Sequence, residues 1–296
     1  MARPRTPFLI LVLVLALGLA ASPAFAQGPK IDPSFVKWRN IGPGNMSGRV
    51  SALAVLDNDF RTVLVGAASG GVFKSTNAGI TWEPIFERYG SASIGDLAFF
   101  QKNPDIIWVG TGEANNRNPT GWGDGIYKSV DGGKTFAHAG LKDTYMIARV
   151  VTHPTDPDTV YVAAIGSLWS YGGDRGLFKT VDGGKTWKKL VQGLPNDGKT
   201  GCTEIAMHPT DPNTLYVAFY HRIRNGWSIY SGGPNGGIFV TNDGGASWRK
   251  LTKGLPAWIK GGLPFNKNFT PGHEYMGTVT KLGAGVDEVK VGDRVA

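Results

Sequence analysis

Apolar residues along this chain come in short runs bounded by Gly, Pro, Asn and Asp, and nowhere after the first twenty-odd positions do they hold a helical spacing. The runs recur in sets of four. Val50 to Leu56, Ile94 to Phe100, Ala148 to Thr152 and Thr203 to Met207 form one set. Val63 to Gly66, Ile106 to Val109, Val160 to Ala163 and Leu215 to Ala218 form a second. Gly71 to Lys74, Gly125 to Lys128, Gly176 to Lys179 and Gly237 to Val240 form a third. Each reads as a β-strand.

A gapless octet follows each member of the third set. The four octets begin at Ser75, Ser129, Thr180 and Thr241, with spacings of 54, 51 and 61 residues. Their key positions are Asn77, Asp131, Asp182 and Asp243, closed by Trp82, Phe136, Trp187 and Trp248. The octet is hairpin chemistry. Paired glycines supply positive φ. The Asx carboxylate or amide accepts local backbone N–H bonds, and the closing aromatic is large enough to bury against a neighbouring unit. The turns between the first and second strands also repeat, as His-Pro-Thr-Asp-Pro at 153–157 and 208–212. Each unit therefore reads strand, turn, strand, loop, strand, octet, strand. Four short strands in about 50 residues is the arithmetic of a propeller blade. A β-sandwich is the competing architecture, and the near-literal repeats argue against it. The expectation is an all-β fold, a partial β-propeller of about four four-stranded blades over 35–89, 90–142, 143–197 and 198–256, followed by a short non-propeller fragment at 257–296.

The octets resemble the aspartate boxes of the neuraminidase-type repeat family. The fuller pattern is similar to exported propellers related to sortilin's luminal domain and to xyloglucanase-type glycoside hydrolases. Trp38 to Pro43, Gly48-Arg49-Val50, Val109 to Asn115 and Trp122 to Gly125 carry that resemblance. It covers roughly 35–256 and is specific for fold more than for activity. It implies more than four blades in the family, and no sialidase arginine triad or tyrosine nucleophile can be placed here. After Pro256 the pattern changes. Gly272-His273-Glu274, Gly283-Ala284-Gly285 and Val291-Gly292-Asp293 resemble the chaperonin-10-like domain of zinc-containing alcohol dehydrogenases. The resemblance implies zinc at His273 and a nicotinamide cofactor in a complete enzyme. Here the upstream cysteine ligand and the downstream nucleotide loop are missing, so no cofactor is expected and the chain reads as a composite of two unrelated parts.

Composition narrows the rest. Arg3 and Arg5, an apolar run to Ala21 and Ala24-Phe25-Ala26 read as a secretory signal peptide over 1–26. The expectation is a secreted or periplasmic protein with no membrane span after cleavage. The net charge is +8, but Lys and Arg are scattered, and with export this argues against a nucleic-acid partner. Cys202 is the only cysteine, so no intrachain disulfide is available.

Candidate chemistry falls in two places. Asp96, Arg149 and Glu204 occupy matching positions of the first-strand set, 53 and 55 residues apart, and are expected either to line a central channel or to pair with one another. The long loops between second and third strands emerge on one side of the disc. They run over 113–124, 169–175 and 221–230, the last with Arg222, and carry Arg117, Trp122, Trp169, Tyr171, Asp174, Arg175 and Trp227, the mix of flat rings and polar groups that a sugar needs. The alternative is structural loop packing. Glu113 and Asp124 are the carboxylate pair for glycoside cleavage, should there be any. His138, His153 and His208 read as structural turn residues. The function classes are a polysaccharide- or protein-binding module, a glycoside hydrolase, and a dehydrogenase fragment inactive alone. An unclosed blade edge would also invite self-association.

Overall fold

The computed structural model describes residues 49–252 together with 277–278 and 294–295. The amino-terminal signal, the tail motif around His273 and the opening 38–43 motif lie outside the described residues. Within them the fold is the expected partial propeller: four antiparallel four-stranded sheets in sequence order. Blade 1 is β1 (Val50–Leu56), β2 (Asp59–Ala67), β3 (Gly71–Ser75) and β4 (Glu83–Pro84). Blade 2 is β5 (Ile94–Phe100), β6 (Asn103–Thr111), β7 (Ile126–Ser129) and β8 (Ala137–His138). Blade 3 is β9 (Ile147–Thr152), β10 (Val160–Ala164), β11 (Gly176–Thr180) and β12 (Lys188–Leu190). Blade 4 is β13 (Thr200–Met207), β14 (Leu215–Arg224), β15 (Ile229–Thr241) and β16 (Arg249–Lys250). A further pair, β17 (Gly277–Thr278) with β18 (Arg294–Val295), belongs to the tail. The first strands of successive blades lie side by side.

The octets fold as the pattern requires. In blade 2, Asp131 Oδ1 accepts from Ser129 Oγ at 2.8 Å and from Thr135 N at 2.9 Å, while Oδ2 accepts from Thr135 Oγ1 at 2.6 Å. Ser129 Oγ in turn accepts from Gly133 N at 2.9 Å. Asp182 and Asp243 repeat the set. Asn77 keeps the same geometry by turning its amide into the donor, Nδ2 to Thr81 Oγ1 at 2.8 Å. The Thr135 hydroxyl and amide hold the Asp131 carboxyl down at about 2, so the turn keeps its negative acceptor at any ordinary pH.

The closing aromatics join blades. Phe136 packs edge-on against Phe86, 5.1 Å between centroids, and against Tyr89. Trp187 meets Trp108 edge-on and donates from Nε1 to Ala139 O at 2.6 Å. Trp248 is buried in a cluster with Leu190 and Leu194. The buried apolar side chains thus gather in a separate cluster at each blade junction, which is what sequentially stacked sheets need to bury both faces.

The His-Pro-Thr-Asp-Pro turns are local hydrogen-bond devices. His153 Nδ1 accepts from Asp156 N at 3.1 Å, and Asp156 accepts from Thr159 Oγ1 at 2.6 Å. One blade on, His208 Nδ1 accepts from Thr210 N at 3.4 Å and Asp211 from Thr214 Oγ1 at 2.6 Å. Cys202 is fully buried, and burial drives its thiol far above the ordinary range. One expectation changes. The segment 221–230, read as a loop, is instead the end of a long hairpin in which Arg222 pairs with Ser231 and Arg224 with Ile229. The register shifts between Phe219 and His221, and beyond that irregularity the ladder outruns the blade with both His221 and Arg222 buried.

Candidate functional site on the loop side

The aspartate boxes lie at one end of the blades. The connections between second and third strands lie at the other, together with the segment around Tyr145. Three loops meet there, and two buried arginines organise them.

Arg175 is 1% exposed. Its guanidinium donates to five carbonyls: Gly172, Ile165, Lys199, Ser167 and Ser170, the last at 2.7 Å. Its expected place among the ligand contacts is therefore corrected: burial removes it from any ligand, and its role is to shape the 165–175 loop. Arg222 is fully buried as well. It donates to Ala114 O at 2.6 Å, Asn115 O at 3.1 Å and Asn116 Oδ1 at 2.8 Å, which ties the blade 4 hairpin to the blade 2 loop across blade 3. Burial, with the charge of Arg175, pushes Arg222 down to about 10, still cationic at neutral pH. Sequence reasoning placed Arg222 in a surface segment and missed this. No local pattern distinguishes a buried arginine that caps foreign carbonyls from a solvated one.

Around these arginines the aromatics remain open. Trp122 (56% exposed) leans edge-on against Tyr145, with centroids 5.7 Å apart. Tyr171 and Tyr230 flank the His221 ring at 5.7 and 4.5 Å, and Lys199 Nζ stands 5.4 Å over Tyr171. Trp169 is exposed, and Trp227 at the hairpin tip is 88% exposed. The tip is formed by Asn225 Oδ1, which accepts from Ser228 N at 2.9 Å. Arg117 and Asp174 are also exposed, with Asp174 N bonded to Asp143 O at 2.8 Å. Six of the seven expected ligand residues therefore present surface on this side.

The carboxylates named for cleavage are both engaged. Glu113 is fully buried and receives the Arg49 fork at 3.0 and 2.5 Å, with Asn115 Nδ2 at 3.2 Å. Burial opposes its ionisation, but Arg49, Asn115 and the nearby Arg117 outweigh it and hold the carboxyl below the usual range. A general acid needs the opposite tuning. Glu113 is thus held ionised against Arg49, which does not suit the general-acid half of the expected pair. Asp124 accepts from the Tyr127 hydroxyl at 2.6 Å and from Thr111 Oγ1 at 3.3 Å. Burial and this bond push the Tyr127 phenol up to about 12. The two carboxylates share no hydrogen-bond partner among the described residues.

On the inner strands, Asp96, Arg149 and Glu204 join in a line. Arg149 lies 2.9 Å from Glu204 and 3.9 Å from Asp96. Asp96 Oδ2 also accepts from Val150 N at 2.7 Å. Of the two readings left open by sequence, mutual pairing is the one the geometry describes. For metal chemistry, no group of three His, Cys, Asp or Glu side chains comes together among the described residues. His273 and Glu274 lie outside them, and Cys202 is buried in blade 4.

Known proteins share this fold. The chain resembles sortilin-type and xyloglucanase propellers. The Sortilin-Vps10 family model (sortilin, neurotensin receptor 3) matches residues 124–260. The alcohol dehydrogenase GroES-like domain model matches 251–296, in agreement with the resemblance read from the tail motifs. A xyloglucanase of a Paenibacillus species is 28% identical over 250 residues, covering 76% of this chain and 22% of that protein. A xyloglucanase of Hypocrea jecorina (strain QM6a) is 27% identical over 237 residues, covering 70% and 26%. The crystal structure of an ancestral GH74 enzyme superposes with a TM-score of 0.54 at 19% identity, over 74% of this chain and 26% of that one. The chain thus spans about a quarter of the length of these relatives. The described blades are a glycoside-hydrolase-like propeller segment.

Proposed function

We propose that the loop side of blades 2 to 4 is a polysaccharide-binding face, and that this chain binds a β-glucan backbone without cleaving it. The observation that carries the reading is the set of exposed rings, Trp122, Trp169, Tyr171, Tyr230 and Trp227, standing over loops held by the buried Arg175 and Arg222. Rings offer flat apolar faces to sugar rings. Arg117 and Asp174 at the rim offer hydrogen bonds to hydroxyls. Pre-set loops lower the ordering cost of binding. Xyloglucan is the first ligand to try, because the similar proteins are xyloglucanases.

That similarity also favours a second reading, hydrolysis. Against it stand the low-set, buried Glu113 and an Asp124 already bonded to Tyr127. Calorimetric titration with xyloglucan oligosaccharides, run beside a reducing-end assay, separates the two. Binding with no new reducing ends supports the first reading, and turnover that disappears in Asp124→Asn supports the second. Absence of both sinks the glycan proposal and leaves a protein ligand. We further take residues 1–26 as an export signal that brings this face to extracellular polysaccharide. No helix of the described residues is long and apolar enough to cross a membrane. A secreted product whose first residue is far from Gln27 would contradict the export assignment.

A further inference from the structure

Two Asn-Gly pairs occur in the chain, Asn225-Gly226 and Asn235-Gly236, and both lie in the hairpin of β14 and β15. Glycine has no Cβ, so its backbone nitrogen can swing close to the side chain that precedes it. An Asn-Gly pair can therefore react with itself, the glycine nitrogen attacking the asparagine amide carbon. The fold treats the two pairs differently.

Asn225 opens the tip between Arg224 and Ile229, with its N bonded to Ser228 O at 3.0 Å. Its Oδ1 accepts from Ser228 Oγ at 2.8 Å, from Ser228 N at 2.9 Å and from Trp227 N at 3.4 Å. Donors gathered on one amide oxygen draw electrons from Cγ and stabilise the negative charge that builds on Oδ1 when a nucleophile adds, as an oxyanion hole does. Asn225 and Gly226 are both exposed, and a methyl added at Gly226 would meet nothing within 4 Å. The attacking nitrogen has room to move. Asn235 is held by its other end. Its Nδ2 donates to Asp197 Oδ2 at 2.8 Å, and Asp197 is itself fixed by Lys199 N and Thr200. A methyl added at Gly236 would fall 3.1 Å from Phe219 O and 3.3 Å from Gly232 O, so the backbone there is packed. The Asp-Gly pairs of the boxes are guarded another way. Ring closure at an aspartate needs a protonated carboxyl, and local Ser and Thr bonds hold Asp131, Asp182 and Asp243 ionised.

We propose that Asn225 is a self-modification site: in the folded chain it deamidates with the help of its own tip, while Asn235 stays an amide. Gly226 N attacks Asn225 Cγ and gives up its proton. The Cγ–Nδ2 bond breaks, Nδ2 takes up a proton and ammonia leaves, and a cyclic imide remains. Water then adds to either imide carbonyl and opens the ring to aspartate or isoaspartate. One water is consumed and one ammonia released, with no redox change. Either product sets a carboxylate two residues from Trp227, and isoaspartate also lengthens the main chain there. A consequence resting on the glycan-binding reading is that the most exposed ring of the face is re-aimed and affinity falls.

The test is incubation of the full chain at mildly alkaline pH, in buffer and in urea. Tandem mass spectrometry follows both sites on the tryptic peptide 225–249. In urea the two pairs convert at similar rates. In buffer Asn235 lags by about tenfold or more, the cost of opening its packed turn. Ser228→Ala removes the hydroxyl donor and slows Asn225 by about fivefold, the worth of one ordinary hydrogen bond. Ser228 is exposed, so the melting temperature of that variant stays near native and reports intact folding. Equal conversion of both sites in buffer, an Asn225 slower in buffer than in urea, or a Ser228→Ala chain that converts as fast as native would overturn the proposal. Xyloglucan oligosaccharides should bind the converted chain more weakly than fresh chain, and equal affinity would overturn the coupling to Trp227. A fresh chain that binds no glycan defeats the binding reading alone, because the peptide mapping decides the modification without it.

Discussion

Asp96 gives the sharpest stability prediction. Its carboxyl is 5% exposed on β5, with Val150 N on one oxygen and Arg149 at 3.9 Å from the other. Burial dominates these favourable contacts and pushes the group up to about 6. An unfolded aspartate titrates near 3.9. Between these values the folded chain binds a proton that the unfolded chain has released. Stability from this group is therefore present below about pH 4 and is lost as pH rises through 6. Two units of displacement correspond to about 3 kcal/mol. Asp96→Asn keeps an oxygen for Val150 N and removes the buried charge. The wild-type minus variant difference in unfolding free energy should fall by about 2–3 kcal/mol between pH 4 and pH 7. Urea unfolding at half-unit pH steps measures it, and taking the difference cancels every other titrating group. A difference that stays flat, or that rises with pH, would refute the view that burial outweighs Arg149 at this site.

Gly184→Ala puts a methyl 2.7 Å from the Trp108 ring at a backbone φ of +90°, and should cost about 2–4 kcal/mol by thermal unfolding. Glu113→Gln strips the fully buried Glu113 of its charge opposite the partly exposed Arg49. It should destabilise by about 1–3 kcal/mol, a loss that shrinks as pH falls through the depressed Glu113 value, while leaving glucan affinity intact. Arg222→Met removes the donor that three acceptors of the 114–116 segment share, leaving Asn115 O only its bond from Arg117 N, and should speed amide exchange there far more than in β5 or β9.

Much of the fold was legible because the information was local and repeated. The Asp131, Asp182 and Asp243 turns are specified within eight residues. The inner strands of blades 1 and 2 run over the same residues expected from the apolar runs. Even the Asp96–Arg149–Glu204 line followed from repeat register, because equal offsets put equal positions on neighbouring blades. What was not legible depends on contacts far apart in sequence. Arg175 and Arg222 look like surface arginines until the loops they hold are folded over them. The extension of β14 and β15 past the blade is set by pairing across the hairpin, and Glu113 reads as a reactive carboxylate only while Arg49, 64 residues away, is out of view.

The central claim is a binding face that does no hydrolysis. Its most direct test is titration of the full chain with xyloglucan oligosaccharides, comparing native protein with Trp227→Ala. Trp227 is almost wholly exposed, so its loss should leave the melting temperature unchanged while weakening binding by about 1–2 kcal/mol, roughly tenfold. No new reducing ends should form with either protein. Equal affinity for native and variant, or release of reducing ends by the native chain, would contradict the account.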